Sequence, residues 1–465
     1  MSLPSHIARM SKIAPAKIVG RSSYQVAGKL RITEHIFEVP KDYNNPSSGS
    51  LRLFARSARR NEVYPNEAKA TEYLPWMLYL QGGPGQECRA PQNYAWTETI
   101  INKGYQMLFL DQRGTGLSTP ITASTLQMRG DNNVQHRYLK LFRADNIVRD
   151  CEAIRQALLA DQMTDLDKKW SIFGQSFGGF CCISYLSFFP EGLREAFLFG
   201  GLQPLVKQPD EVYRRLYKKV IERNEAYYLK FPEDVQRVKT IMNYLGRFGD
   251  GKIKLPSEGS LTRNRFQQLG LLLGYHGGLD TIHDIVLRAN NDIEAFGHLT
   301  RKSLSEIDSN TSFDDALIYS ILHEPIYCEG SAPAWSADRV RAEYPVFAHQ
   351  QSERPIYFTG EMIFPSMFND YTELRKVTDV ANSIAEDKDW PPLFDTEQLS
   401  RNTIPVYAAS YDDDMYVDQG FAMETAKAIK GCKVYRTNVM LHNAVRAKME
   451  EVVGALFKLK EDVFD

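Results

Sequence analysis

Four short, nearly continuous apolar runs punctuate the first 200 residues: Trp76-Met-Leu-Tyr-Leu80, Gln106-Met-Leu-Phe-Leu110, Trp170-Ser-Ile-Phe173 and Ala196-Phe-Leu-Phe199. A strand that is apolar at successive positions has both faces covered, which predicts a parallel sheet between layers of helices. Upstream, Lys29–Val39 and Gly49–Ser57 alternate apolar and polar residues and predict antiparallel strands. Asn146–Leu159 places its apolar residues at helical spacing, just ahead of the third run.

The pattern changes after Gln203. From about Pro204 to Leu393 the chain is rich in charge, Tyr and Phe, and its periodicity is helical, as in Asp210–Glu222 and Asp234–Leu245. Sheet patterning then returns with Ile404–Ala409, a helix from Gly420 to Lys430, the run Lys433–Arg436 and a last helix from about Asn443 to Leu459. The expected architecture is α/β: a mostly parallel central sheet flanked by helices, with an inserted, mainly helical cap. The expected divisions are an N-terminal extension 1–24, loosely ordered over about its first twenty residues, a first core part 25–203, a cap 204–394 and a second core part 395–465. There is no internal repeat or low-complexity segment.

Composition narrows the setting. Apolar residues make up 43% and charged residues 25%, ordinary values for a globular chain, and the net charge of −2 offers nothing to nucleic acid or an anionic membrane. No apolar stretch is long enough to span a bilayer, and Met1–Lys17 does not read as a secretory signal. The six cysteines form neither a CxxC pair nor a zinc spacing, so buried thiols, a reducing cytoplasmic setting, and no metal or cofactor are expected. Self-association into a homo-oligomer is compatible with this composition.

The chemistry concentrates at Gly174-Gln-Ser-Phe-Gly178, between an apolar strand and an apolar helix. Small residues on both sides of a serine permit the tight strand–helix turn that exposes its hydroxyl. Such a serine needs a base. His442 follows the Lys433–Arg436 strand, and Asp412, Asp413, Asp414 and Asp418 follow the Ile404–Ala409 strand, giving the order serine, acid, histidine. Like charges repel in low dielectric, so most of these acids must be solvated; Asp414 is the expected triad acid and Asp413 the second choice. Gln81-Gly-Gly-Pro-Gly85 directly follows the first apolar run. Its Gly83 N–H and the N–H of Phe177 are the expected oxyanion donors. Asp111 and Arg113 are expected to form a buried structural pair at a strand end.

Taken together, Gln81-Gly-Gly-Pro-Gly85, Asp111-Gln-Arg-Gly-Thr-Gly-Leu-Ser118 and Gly174-Gln-Ser-Phe-Gly-Gly179, followed by Asp414 and His442, resemble the proline iminopeptidase family of α/β-hydrolases, especially its longer, fungal-type members. The resemblance implies a metal-free serine aminopeptidase that releases an N-terminal residue, preferentially proline, from peptides through an acyl-enzyme. Four positions depart from the family's usual pattern: Gln81 stands for His, Gln175 for Gly, Phe177 for Trp, and Leu441 for the Gly before the final His.

The family holds the substrate amine with two cap glutamates. Glu324 in Leu322-His-Glu-Pro-Ile-Tyr327 and Glu361 in Thr359-Gly-Glu-Met-Ile-Phe364 sit among apolar residues, where an unpaired charge is costly, and are the expected pair, with Glu329 in reserve. Phe177, Tyr327, Trp335 and Phe364 are candidates for an apolar slot around a pyrrolidine ring. The competing reading is an esterase, lactonase or amidase on the same scaffold, acting on a small acyl substrate without an amine.

Overall fold

All four apolar runs are strands in the computed structural model, which describes residues 13–61, 74–249, 251–349 and 354–462. The strands are β1 (Lys17–Val26), β2 (Leu30–Pro40), β3 (Ser50–Arg60), β4 (Trp76–Leu80), β5 (Gln106–Leu110), β6 (Trp170–Gln175), β7 (Leu193–Phe199), β8 (Val406–Tyr411) and β9 (Cys432–Thr437). They form one nine-stranded sheet in the order β1-β2-β3-β5-β4-β6-β7-β8-β9. The pairs β1–β2, β2–β3 and β3–β5 are antiparallel, and every pair from β5 to β9 is parallel.

Alternate side chains of the parallel strands serve two cores. Leu78, Leu80, Leu108, Leu110, Ile172 and Leu198 pack on the helices Ala144–Leu158 and Phe177–Phe188. Met77, Tyr79, Met107, Phe109, Phe173 and Phe197 face the other way, onto the helices Thr97–Asn102 and Met449–Glu461. Burying each such side chain on both faces contributes about 1.5–3 kcal/mol, and this double coverage is why the runs show no polar alternation.

β1 lies in the segment expected to be a loosely ordered extension. Its sequence, Lys-Ile-Val-Gly-Arg-Ser-Ser-Tyr-Gln-Val, is mostly exposed and carries no clear alternation. Its backbone pairing with β2 makes it a strand, so local patterning does not reveal it. Residues 1–12 of that expected extension lie outside the described residues.

Between β7 and β8 the described residues form helices, among them Asp210–Lys230, Asp234–Phe248, Gly278–Phe296 and Arg301–Asn310. The apolar cluster on one sheet face runs without a break from Phe180 and Ile183 into Tyr213, Tyr217, Ile318 and Tyr327 of this helical region. That packing seats the helical layer over the carboxyl ends of the parallel strands. All six cysteines are free thiols, five of them buried. Among the described residues no helix is long and apolar enough to cross a membrane, and no cluster of His, Cys, Asp and Glu has metal-ligand geometry.

Candidate active site

Ser176 sits at the join of β6 and the helix Phe177–Phe188 with φ 54° and ψ −125°. A non-glycine residue held there costs about 1–3 kcal/mol, which the surrounding packing must offset. Ser176 N–H donates to the Phe199 carbonyl at 3.0 Å and the Ser176 carbonyl accepts from Gly179 N–H at 2.7 Å, so both sides of the turn are tied down. Gly178 is required by close approach: a Cβ there would meet the Leu80 carbonyl oxygen at 1.9 Å.

The side chains of three distant segments converge at this turn. His442 Nε2 lies 2.9 Å from Ser176 Oγ, and His442 Nδ1 lies 2.7 Å from Asp414 Oδ2. The other Asp414 oxygen accepts from Tyr416 and Val417 N–H at 2.8 and 3.0 Å. Burial pulls the His442 pKa down, but the charge and hydrogen bond of Asp414, aided by the Glu361 charge, outweigh it and leave the imidazole above its ordinary value. The neighbouring acids are occupied elsewhere. Asp413 is 47% exposed and faces Lys219, Asp412 pairs with Arg436, and Asp418 caps the helix Gln419–Ala428.

The loop that carries His442 is clamped from the helical layer. Leu441 N–H donates to His276 Nε2 and His276 N–H donates to Asn443 Oδ1, each at 3.0 Å. The imidazole is therefore held from both sides in sequence as well as by Asp414.

Gly83 and Ser176 line one cavity of about 400 Å³. Gly83 has φ 127°, which only glycine adopts without strain. Among the described residues, neither the Gly83 nor the Phe177 N–H has a protein acceptor. Gln81, which replaces the family's His, shapes this loop: its Oε1 accepts from Tyr79 O–H at 2.6 Å and its Nε2 donates to the Glu87 carbonyl at 3.0 Å.

Glu361 closes the cavity from above, with Tyr319 O–H donating to Oε1 at 2.5 Å and His323 Nε2 lying 3.6 Å from Oε2. Burial alone would raise this carboxyl, but the hydrogen bond and charge of His323, the charge of His442 and the Tyr319 hydroxyl together hold it below its ordinary value. It is therefore an anion at neutral pH. Leu271, Leu272, Tyr275 and Phe313 supply the apolar wall.

Curated relatives align with nearly the whole sequence of the chain. Residues 75–244 match the model for the alpha/beta hydrolase fold. The chain is 48% identical over 453 residues to "Proline iminopeptidase aneH" of Aspergillus aculeatus, covering 97% of this chain and 99% of that protein. It is 39% identical over 441 residues to "Proline iminopeptidase" of Aeromonas sobria, covering 94% and 99%. The chain belongs to the proline iminopeptidase family. A crystal structure of a proline iminopeptidase from Mycobacterium smegmatis aligns more loosely, with 12% identity, a TM-score of 0.41 and coverage of 92% of this chain and 98% of that one.

Several expected iminopeptidase-type residues lie elsewhere. Glu324 is not in the cavity: both its oxygens accept backbone N–H groups, Ser336 and Ala337 at 2.9 Å, at the start of the helix Ser336–Arg341. Burial raises its pKa to about 8, with those two bonds opposing. Glu329 pairs with Lys207 at 2.6 Å on the surface. Tyr327 packs edge-on against Phe180, Trp335 against Phe368, and Phe364 beneath Arg341, so these aromatics brace the helical layer, and Phe177 is buried. Arg113 does not pair with Asp111. It holds Asp150 through two bonds of 2.7 and 2.6 Å, while Asp111 accepts from Cys88 and Leu117 N–H. The adjacent pair was the natural choice from sequence, but the helix Ala144–Leu158 presents a nearer carboxylate. Tyr319, His323, Tyr275 and Arg446 carry no role in the sequence reading, although His323 lies within the segment Leu322–Tyr327 and Tyr319 three residues before it.

Proposed function

We propose that the chain is a serine aminopeptidase that releases N-terminal proline, with Ser176 as nucleophile, His442 as general base and acid, and Asp414 as the residue that orients it. The observation that carries this reading is the unbroken chain of contacts from Asp414 through His442 to Ser176 in a cavity roofed by the Glu361 carboxylate. The family membership supports the same reading.

In this mechanism Ser176 Oγ attacks the carbonyl carbon of the first residue while His442 Nε2 takes its proton. The Gly83 and Phe177 N–H groups receive the charge that develops on the carbonyl oxygen. His442 then returns the proton to the leaving nitrogen and the peptide departs. A water, deprotonated by the same imidazole, attacks the acyl-enzyme and frees the amino acid. An N-terminal proline carries two N–H donors on its protonated secondary amine, and Glu361 accepts from it by charge-assisted hydrogen bonds. Leu271, Leu272, Tyr275 and Phe313 meet the ring carbons. We assign the helical segment 204–394 as the cap that carries Glu361, over a hydrolase core that takes in β1 from Lys17, runs to 203 and resumes over 395–465.

The test is turnover of proline 4-nitroanilide against its N-acetylated form and a 4-nitrophenyl acyl ester. The free-amine anilide is expected to be cleaved and the acetylated one not. Ser176→Ala should lose both turnover and covalent labelling by a fluorophosphonate. Preference for the amine-free ester, with no cleavage of the anilide, would overturn the reading in favour of an esterase.

A further inference from the structure

A second cavity, of about 550 Å³, adjoins the one that holds Ser176. Gln86, Ala316 and Arg446 line both, and of these only Arg446 carries a charge. Its guanidinium donates to Gln175 Oε1 at 3.2 Å, so it is aimed by the residue immediately before the nucleophile. Gln175 is one of the positions where the chain departs from the usual family pattern, in which a glycine would offer no acceptor. Among the described residues no carboxylate pairs with Arg446, although Glu87 and Asp315 border the second cavity with Arg89. The first cavity thus presents one anion, Glu361, and one cation, Arg446, with Ser176 on the same lining. Arg446 also lowers the pKa of His442 by its charge, which places it within electrostatic reach of the reacting centre.

A free dipeptide has this charge pattern: an ammonium on the acyl side and a carboxylate one residue beyond the scissile nitrogen, with each extended residue spanning about 3.5 Å. We propose that Arg446 binds the α-carboxylate of the leaving group, so that short peptides, and dipeptides above all, are the preferred substrates. This rests on the aminopeptidase reading and adds the side of the site that receives the leaving residue. The hydrolysis is otherwise unchanged. The acyl C–N bond breaks, His442 hands its proton to the leaving nitrogen, and the oxygen of water ends on the proline carboxyl. A guanidinium suits the second role because it pairs with a carboxylate through two parallel bonds.

The experiment compares kcat/KM for Pro-Gly with that for Pro-Gly-amide, which differ by one charge, on the full-chain enzyme at low ionic strength. A charge-assisted bond predicts that the wild type favours the free acid by about tenfold or more. Arg446→Gln should bring the ratio near one, Arg446→Lys should keep part of it, and Arg446→Glu should push it below one. Any general effect of these changes on folding or on His442 acts on both substrates and cancels in the ratio. A wild-type ratio near one, or a ratio that Arg446→Gln leaves unchanged, overturns the assignment while leaving the aminopeptidase reading intact. Turnover of neither peptide overturns both.

Discussion

Glu361→Gln preserves side-chain volume and removes one negative charge from the carboxylate proposed to receive the substrate amine, a charge that also acts on His442. Hydrogen bonds to a charged partner contribute about 1.5–3 kcal/mol, so kcat/KM for proline 4-nitroanilide should fall by about one to two orders of magnitude. A small acyl ester without an amine should lose less than about threefold. The pH profile provides a second readout. His442 is a base only when neutral, and its pKa is raised by Asp414 first and by Glu361 as well. Removing the Glu361 charge must therefore move the acid limb of kcat/KM to lower pH, while Asp414 keeps part of the elevation. Stability has its own sign. A carboxyl held below its ordinary value of 4.5 adds stability that is fully present above that pH and is lost as pH falls through the folded value. The variant's thermal midpoint should therefore lie below the wild type's at pH 7 and approach it in acid. Equal losses on anilide and ester with an unmoved acid limb would refute the argument, and would reduce Glu361 to a support for Tyr319 and His323.

Four further outcomes follow from the geometry. Asp414→Asn should lower kcat by about 10⁴-fold, the scale expected when the orienting carboxylate of such a triad is neutralised. Asp413→Asn, at a half-exposed position facing Lys219, should change kcat for proline 4-nitroanilide less than about twofold. Arg113→Ala strands the buried Asp150 carboxylate and should cost about 3–5 kcal/mol in denaturant unfolding. Arg113→Ala with Asp150→Asn should recover much of that loss, because no unpaired charge then remains.

How far a sequence discloses such a molecule depends on whether the deciding interaction is local. Strands β4 to β7 are legible because burial on both faces is written into consecutive residues. β1 is not, because its strand character comes from the hydrogen bonds of β2. The turn at Ser176 is legible for a similar reason: Gly178 answers a steric demand two residues away from the serine. Carboxylates behave differently. Glu324 and Glu361 give the same local signal, an acid among apolar residues, and the first is buried and the second half-buried. That signal states only that a buried charge needs donors. It does not state which donors. For Glu324 they are two backbone N–H groups of its own helical region, at a place outside the lining of the Ser176 cavity. For Glu361 they are side chains that occupy part of each oxygen and leave the carboxylate on a cavity wall. Arg113 repeats the lesson. Its need for a carboxylate was plain, but the choice between Asp111 and Asp150 was made by the packing of a helix onto the sheet. Gln175 and Arg446 follow the same rule in the opposite direction. A glutamine in place of a glycine looks like a neutral departure until the short helix Ala444–Ala447 brings the Arg446 guanidinium onto it. The residue types of the serine, acid and histidine can thus be read from their own turns, whereas the partner each buried charge takes is decided by contacts between distant segments.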